Sequence, residues 1–201
     1  MRYPPSDPAV QASSDTFLFT DLVGFTALTE ANGDDHAADL ALDFYRRVRT
    51  LLPLFAADEV KTIGDAMMIR AADPARAIKL GLGIVRELEA VPGFPPVRVG
   101  MATGPATYRE HDWYGRTVNV AARLCSAAGG GEVLVSEATG RAAGRMPKVE
   151  LGEPRLHWLK NVTQPVSAHL ASERRCGRSG SAFHRLTTAL RKPRLEAVSS
   201  L

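Results

Sequence analysis

The feature that most constrains this chain is a pair of acidic residues, each placed where a short apolar run ends. Asp21 lies in the segment FLFTDLVGFT (17–26), and Asp65 lies in VKTIGDAMM (60–68). Runs of four to eight apolar residues bounded by glycine are typical of buried strands. Both aspartates are therefore predicted at the ends of strands, where side chains can reach a shared site.

Asp21 follows the strand candidate Thr16–Thr20, and a helix is predicted to begin near Phe25 after Gly24 breaks the strand. Backbone N–H groups at a helix N-terminus favour phosphate, and a carboxylate beside them can hold Mg²⁺ or Mn²⁺. We predict metal binding at Asp21 and Leu22. The predicted substrate contacts at the helix start are Gly24, Phe25 and Thr26. The alternative is that Asp21 only caps the helix.

Asp65 follows Gly64 in a turn between two predicted strands, Val60–Ile63 and Ala66–Ile69. Gly-Asp is ordinary turn chemistry, so by itself this is a weak sign of a metal ligand. Lys61 strengthens the case for a functional site, because a lysine beside Ile63 on an inward face of a strand needs a partner. The alternative is an edge strand with Lys61 facing water.

A third segment, DWYGRTVNVAARL (112–124), carries polar residues on a predicted helix over Gly115–Ala127. Asn119 and Arg123 are four residues apart, so both project from one face of the helix. The planar guanidinium of Arg123 suits phosphoryl charge. Asp112 lies in the loop that leads into the helix, where it could accept a hydrogen bond from an exocyclic amine. The plainer interpretation is a solvated arginine and a loop aspartate.

The remaining elements alternate between strands and helices, which predicts an α/β (α+β) sandwich with helices packed on a sheet. The run Gly129-Gly130-Gly131 after the helix over Gly115–Ala127 is interpreted as the C-cap and exit turn of that helix, and Gly104-Pro105 as a turn. The other predicted elements are a helix over Asp35–Leu52, a helix opened by Asp73-Pro74, strands over Val97–Thr103 and Val133–Val135, a small helix capped by Ser136, and two or three strands within Lys148–Leu170.

Composition bounds the remaining possibilities. The net charge of +3 is uneven, because residues 172–201 carry seven basic and two acidic residues while the rest of the chain is slightly acidic. We predict a disordered leader over 1–14, a domain over 15–171 and a basic flexible tail over 172–201, in which residues 183–190 could form a weak helix. Two cysteines, Cys125 and Cys176, and no signal peptide or membrane-spanning run favour the cytoplasm.

The three segments in this order resemble the catalytic domain of class III adenylate and guanylate cyclases, and most of all the bacterial adenylate cyclases. The resemblance covers residues 15–171. It implies a ferredoxin-like βαβ core with helices on a mostly antiparallel sheet. It also implies that two aspartates bind two Mg²⁺ or Mn²⁺ ions, that a Lys–Asp pair selects adenine, and that an Asn–Arg pair positions ribose and stabilises the transition state. The matching residues are Asp21, Asp65, Lys61, Asp112, Asn119 and Arg123.

The resemblance further implies the reaction and the assembly. ATP would be converted to 3′,5′-cyclic AMP and pyrophosphate at sites shared by two subunits of a homodimer. A guanylate cyclase would typically have Glu and Cys in place of Lys61 and Asp112. A catalytically weak, partner-dependent homologue and a guanylate cyclase remain the alternatives. A nucleic-acid partner is not expected, because the basic tail has few aromatic residues.

Overall fold

The computed structural model describes residues 14–174. Ten strands and five helices follow one another along these residues, with a short 3-10 helix at Leu52–Phe55. The strands are β1 (Ser14–Leu22), β2 (Ala57–Ile63), β3 (Ala66–Ala71), β4 (Val97–Pro105), β5 (Thr107–Arg109), β6 (Asp112–Tyr114), β7 (Val133–Ser136), β8 (Val149–Leu151), β9 (Arg155–His157) and β10 (Val166–Glu173). The helices are α1 (Phe25–Asn32), α2 (Asp34–Leu51), α3 (Pro74–Glu89), α4 (Arg116–Ala127) and α5 (Glu137–Ala143).

The main sheet has the strand order β2-β3-β1-β4-β7-β10-β8, and β9 pairs with β10. Its first four strands are all antiparallel, and β4 and β7 form the parallel pair. The order β2-β3-β1-β4, with helices after β1 and β3, is that of a ferredoxin-like core. The predicted fold class, an α+β sandwich with a mostly antiparallel sheet, is therefore confirmed.

The sheet buries both of its faces, because side chains alternate along each strand. On β1, Leu18 and Leu22 face the larger core, which also takes in Phe44 of α2 and Ile78 of α3. The other face of β1 carries Phe17 and Phe19, which belong to the core under α4. Asp21 has the same parity as Phe17 and Phe19, so the strand directs it to the α4 face.

Helix α4 lies unusually close to β4. A Cβ added to Gly100 would stand 1.9 Å from the backbone nitrogen of Cys125, so only glycine fits here. The Cys125 thiol also donates to the carbonyl of Arg98 over 3.5 Å. The close approach fixes α4, and with it Asn119 and Arg123, against the strand that pairs with β1.

Most predicted elements are present with shifted ends, and two interpretations are wrong. The run over residues 129–131 is not the C-cap of α4, which is Ala128, although it does form the exit turn, closed by the Glu132 amide on the carbonyl of Gly129 over 3.1 Å. The dipeptide Gly104-Pro105 is the end of β4 rather than a turn. The 3-10 helix was not predicted, and neither was the two-stranded hairpin β5–β6, which places Asp112 at the start of a strand instead of in a loop. The weak helix suggested at 183–190 lies outside the described residues.

The connection from α2 to β2 is short of glycine and still closes. The 3-10 helix ends at Ala56, which takes the left-handed conformation (φ 50°) that glycine usually supplies. The amide of Ala56 donates to the carbonyl of Pro53 over 3.3 Å. The chain therefore enters β2 at Ala57 with no glycine in the connection, and β2 is an edge strand of the sheet.

Candidate active site

Asp21 sits at the end of β1, in register with Ala66 on one side and Arg98 on the other. It does not cap α1. The N-cap of α1 is Gly24, in the left-handed conformation, and no side chain accepts a hydrogen bond there. The carboxylate is partly buried, with 19% of its side chain exposed. Because the capping interpretation is wrong, the Asp21 carboxylate is available for another role.

Asp65 lies beside Asp21, in the turn between β2 and β3. Burial and the negative charge of Asp21 both raise the pKa of the Asp65 carboxyl. The turn is held from the helical layer, because the hydroxyl of Tyr45 on α2 donates to the carbonyl of Gly64. The two carboxylates therefore face one another at one end of the sheet, as the sequence predicted.

Arg98 belongs to this cluster and was not predicted from the sequence. Its Nε donates to Asp21 Oδ2 over 2.8 Å, and its Nη2 donates to the same oxygen. Its Nη1 donates to the carbonyl of Ser126 at the end of α4, over 3.2 Å. Arg98 lies between Val97 and Val99, so it is a charged residue within an apolar strand. The same pattern drew attention to Lys61, and it could have identified Arg98 as well.

The donor set fits hard divalent cations. Two carboxylates face each other with Arg98 as the paired cation, so the cluster keeps an excess negative charge that a divalent ion would neutralise. Within residues 14–174 there is no group of three or more His, Cys, Asp or Glu side chains that could hold a metal ion. Further ligands would have to be oxygens from the backbone, from water or from a phosphate-bearing substrate.

The start of α1 offers backbone donors next to these carboxylates. The first N–H groups of a helix have no intrahelical partner, and the first such bond in α1 runs from the amide of Leu28 to Gly24. Gly24 and Thr26 are exposed and Phe25 is half-buried, so their amides can reach a ligand. Leu22 is buried (2% exposed), which leaves only its backbone to bind a metal.

Lys61 and Asp112 form an ion pair between the edge strand β2 and the hairpin β5–β6. Asp112 Oδ1 also accepts from the backbone amide of Trp113 over 2.8 Å. Burial would raise the pKa of the Asp112 carboxyl, but the hydrogen bonds from Lys61 and Trp113 and the charge of Lys61 outweigh it, so the pKa is lowered. We expected Lys61 either to face inward with a partner or to lie on an edge strand facing water. The structure combines the two, because Lys61 lies on an edge strand and is paired with Asp112.

Asn119 and Arg123 lie on α4, where Asn119 is exposed and Arg123 is half-buried. Among the described residues, neither side chain has a hydrogen bond or an ion pair to Asp21 or Asp65. Following the resemblance, we divide the predicted site residues into two sets. The carboxylate set comprises Asp21 and Asp65. The polar set comprises Lys61, Asp112, Asn119 and Arg123.

Comparison with known proteins assigns the chain to a family. The family model for the adenylate and guanylate cyclase catalytic domain matches residues 9–153. The chain belongs to this family. Both predicted site segments that contain the aspartates, and the helix that carries Asn119 and Arg123, fall inside the matched range. The resemblance read from the sequence is confirmed.

The cyclase domain is similar to named bacterial adenylate cyclases. It is 37% identical over 145 residues to the pH-sensitive adenylate cyclase of Mycobacterium tuberculosis, covering 71% of this chain and 36% of that protein. It is 38% identical over 120 residues to an adenylate cyclase of Streptomyces griseus, covering 60% of this chain and 30% of that protein. The chain thus spans about a third of the length of these relatives.

Solved structures agree on the fold. The adenylyl cyclase CyaB from P. aeruginosa superposes with a TM-score of 0.73 at 22% identity, over 83% of this chain and 97% of that one. A Trypanosoma brucei adenylate cyclase, solved in its monomeric state, gives 0.72 at 26% identity, over 83% and 90%. None of the helices between residues 14 and 174 is both long and apolar enough to span a bilayer.

Proposed function

We propose that this chain is an adenylate cyclase, which converts ATP to 3′,5′-cyclic AMP and pyrophosphate. The observation that carries the proposal is the Lys61–Asp112 ion pair, because it combines the two residue types expected for adenine selection in one place on a cyclase fold. Asp112 can accept from the exocyclic amine of adenine. Lys61 can donate to a ring nitrogen and also keeps Asp112 ionised.

Each remaining site residue has a proposed task that its chemistry supports. The exposed amide of Asn119 would orient the ribose. Arg123 would donate to the non-bridging oxygens of the α-phosphate as charge develops there. The free amides of Gly24, Phe25 and Thr26 would bind the outer phosphates. Positioning and charge neutralisation carry most of the rate in phosphoryl transfer, and these residues supply both.

The carboxylates of Asp21 and Asp65, with the backbone of Leu22, would hold two Mg²⁺ or Mn²⁺ ions. Bound ions of this kind lower the pKa of an attacking hydroxyl and neutralise phosphate charge. Arg98 orients the Asp21 carboxylate through its two hydrogen bonds to Oδ2. The raised pKa of Asp65 means that protons compete with metal ions for this carboxylate as the pH falls.

We also propose that two chains form a homodimer with two shared sites. The support for it is that, among residues 14–174, no hydrogen bond or ion pair joins Asn119 or Arg123 to Asp21 or Asp65 of the same chain. A two-fold axis would place the carboxylate set of each subunit opposite the polar set of its partner. Cytoplasmic location, the leader over 1–14, the domain over 15–171 and the basic tail over 172–201 remain predictions.

The direct test incubates the purified chain with ATP or GTP and either Mn²⁺ or Mg²⁺. We expect cyclic AMP from ATP, with little cyclic GMP from GTP, and loss of the activity in Asp65→Ala. An Asp39→Ala variant, changed at an exposed position of α2, should retain full activity. Cyclic GMP as the main product would favour a guanylate cyclase. A folded protein that is silent with both nucleotides would favour the partner-dependent homologue.

A further inference from the structure

The hairpin β5–β6 carries Asp112 but forms no strand pairs with the main sheet, since β5 and β6 pair only with each other. An isolated two-stranded hairpin is marginal in water. Its turn is also unfavourable, because Glu110 (φ 47°) and His111 (φ 64°) are both non-glycine residues at positive φ. Side-chain contacts must therefore determine where this hairpin, and Asp112 with it, rests on the sheet.

The Lys61–Asp112 pair is a weak anchor. Lys61 keeps 40% of its side chain exposed, and ion pairs open to water contribute little because solvent screens them. Trp113, the neighbour of Asp112, makes stronger contacts between the hairpin and the sheet. Its ring packs on Phe17 of β1 with centroids 5.4 Å apart and on Tyr108 of β5 at 5.1 Å.

Arg70 of β3 also contacts Trp113. Its guanidinium carbon lies 5.1 Å from the centre of the Trp113 ring, within the range of a cation–π contact. Arg70 is itself fixed, because its Nε donates to the buried carboxylate of Asp15 over 2.8 Å and its Nη1 reaches Asp58 at 3.5 Å. Because two carboxylates hold the Arg70 guanidinium in place, it fixes the position of the Trp113 indole on the sheet.

We propose that Arg70 and Trp113 are positioning residues that set the place of Asp112 and thereby the preference for adenine over guanine. The proposal rests on the proposed cyclase function. The Trp113 amide that donates to Asp112 Oδ1 moves with its own side chain, so a shift of the indole on Arg70 moves the carboxylate that reads the base. Neither residue contacts the phosphate-binding elements around Asp21.

The test compares kcat/KM for ATP and for GTP in Trp113→Leu, Arg70→Met and Arg70→Lys. We expect the ATP/GTP ratio to fall by about tenfold in the first two variants. Arg70→Lys keeps a cation over the ring and should retain much of the preference. The matched controls are Arg76→Met and Trp158→Leu, which remove an exposed arginine and an exposed tryptophan and should leave the ratio unchanged.

Arg70→Met leaves Asp15 without the guanidinium and could fold poorly, whereas Trp113→Leu keeps the Arg70–Asp15 pair intact. An equal loss with both nucleotides, or an unchanged ratio in Trp113→Leu, would overturn the proposal. If the wild-type chain turns over neither nucleotide, the proposed function fails. Equilibrium binding of ATP and GTP then decides the positioning role. The positioning role is supported if the wild-type protein binds ATP more tightly than GTP and Trp113→Leu loses this preference. It is overturned if the wild-type protein shows no preference or binds neither nucleotide.

Discussion

Arg98 donates two hydrogen bonds to a single oxygen of Asp21, Oδ2, from the neighbouring strand of the sheet. The two residues are register partners on β1 and β4, so the backbone pairing itself sets their distance. One oxygen of the carboxylate proposed to hold metal is therefore paired with an internal cation. A divalent ion that binds Oδ2 would compete with that cation.

The first prediction follows from this competition. Arg98→Met should tighten the binding of Mn²⁺ to the nucleotide-free protein by about tenfold, because a hydrogen-bonded charge pair no longer opposes it. Isothermal titration with Mn²⁺ measures the change. Arg86→Met, which removes an exposed arginine paired with Glu173, is the control. Unchanged or weaker binding in Arg98→Met would show that Arg98 does not compete with the metal.

Asp65 should lower stability at neutral pH when no metal is bound. Its folded-state pKa is raised above 3.8 by burial and by Asp21, so the folded state holds this proton more tightly than the unfolded state. Stability is then lost as the pH rises through that window. We expect Asp65→Asn to raise the melting temperature in EDTA at pH 7, with the gain shrinking as the pH falls towards 4.

Thermal melts at several pH values, with and without Mn²⁺, test this. Added Mn²⁺ should stabilise the wild-type protein and have little effect on Asp65→Asn. Asp39→Asn, at an exposed position of α2, is the control for loss of a carboxylate. A destabilised Asp65→Asn protein at pH 7 in EDTA would contradict the assigned direction of the pKa shift.

Base preference should follow the Lys61–Asp112 pair as a unit. Changing one partner leaves the other charge half-buried and unpaired, so the double change Lys61→Glu with Asp112→Cys is the informative one. We expect kcat/KM for ATP to fall by at least about tenfold, and the ATP/GTP ratio to shift towards GTP. Steady-state kinetics with both nucleotides measure the ratio. If it is unchanged, the pair does not read the base.

The site residues that could be predicted from the sequence are those that break the local pattern of their own strand or helix. Asp21, Asp65 and Lys61 stand out because they interrupt short apolar strands, and Asn119 with Arg123 because they share a helical face. Tyr45 was missed because its role depends on a contact with Gly64, 19 residues away. The strand position of Arg98 is visible in the sequence, but its partner Asp21 lies 77 residues away and is not. The hairpin β5–β6 was missed because Glu110 and His111 adopt turn conformations that the sequence assigns to glycine or asparagine.

The close approach of α4 and β4 gives a prediction about stability. Gly100→Ala should destabilise the fold by several kcal/mol, because the new Cβ meets the backbone of Cys125 and not a movable side chain. Gly83→Ala, within α3, is the matched control. Its Cβ would meet Phe55 at an ordinary 3.8 Å, and the helix gains from alanine, so stability should rise by about 0.5–1 kcal/mol. Urea unfolding of both variants measures the difference, and equal effects would contradict the packing described.

If each cyclase site is completed by two chains, mixing two inactive variants should restore activity. Asp65→Ala and Arg123→Ala should each be nearly inactive. After subunit exchange, random pairing would restore about a quarter of the wild-type sites, since half of the dimers are mixed and each mixed dimer has one intact site. Cyclic AMP formed from ATP is the readout.

Asp21→Ala mixed with Asp65→Ala is the matched control, because both changes lie in the carboxylate set and no intact site can form. We expect cyclic AMP at about a quarter of the wild-type rate from the first mixture and none from the second. Failure of the first mixture to recover, under conditions where labelled subunits demonstrably exchange, would contradict the shared site.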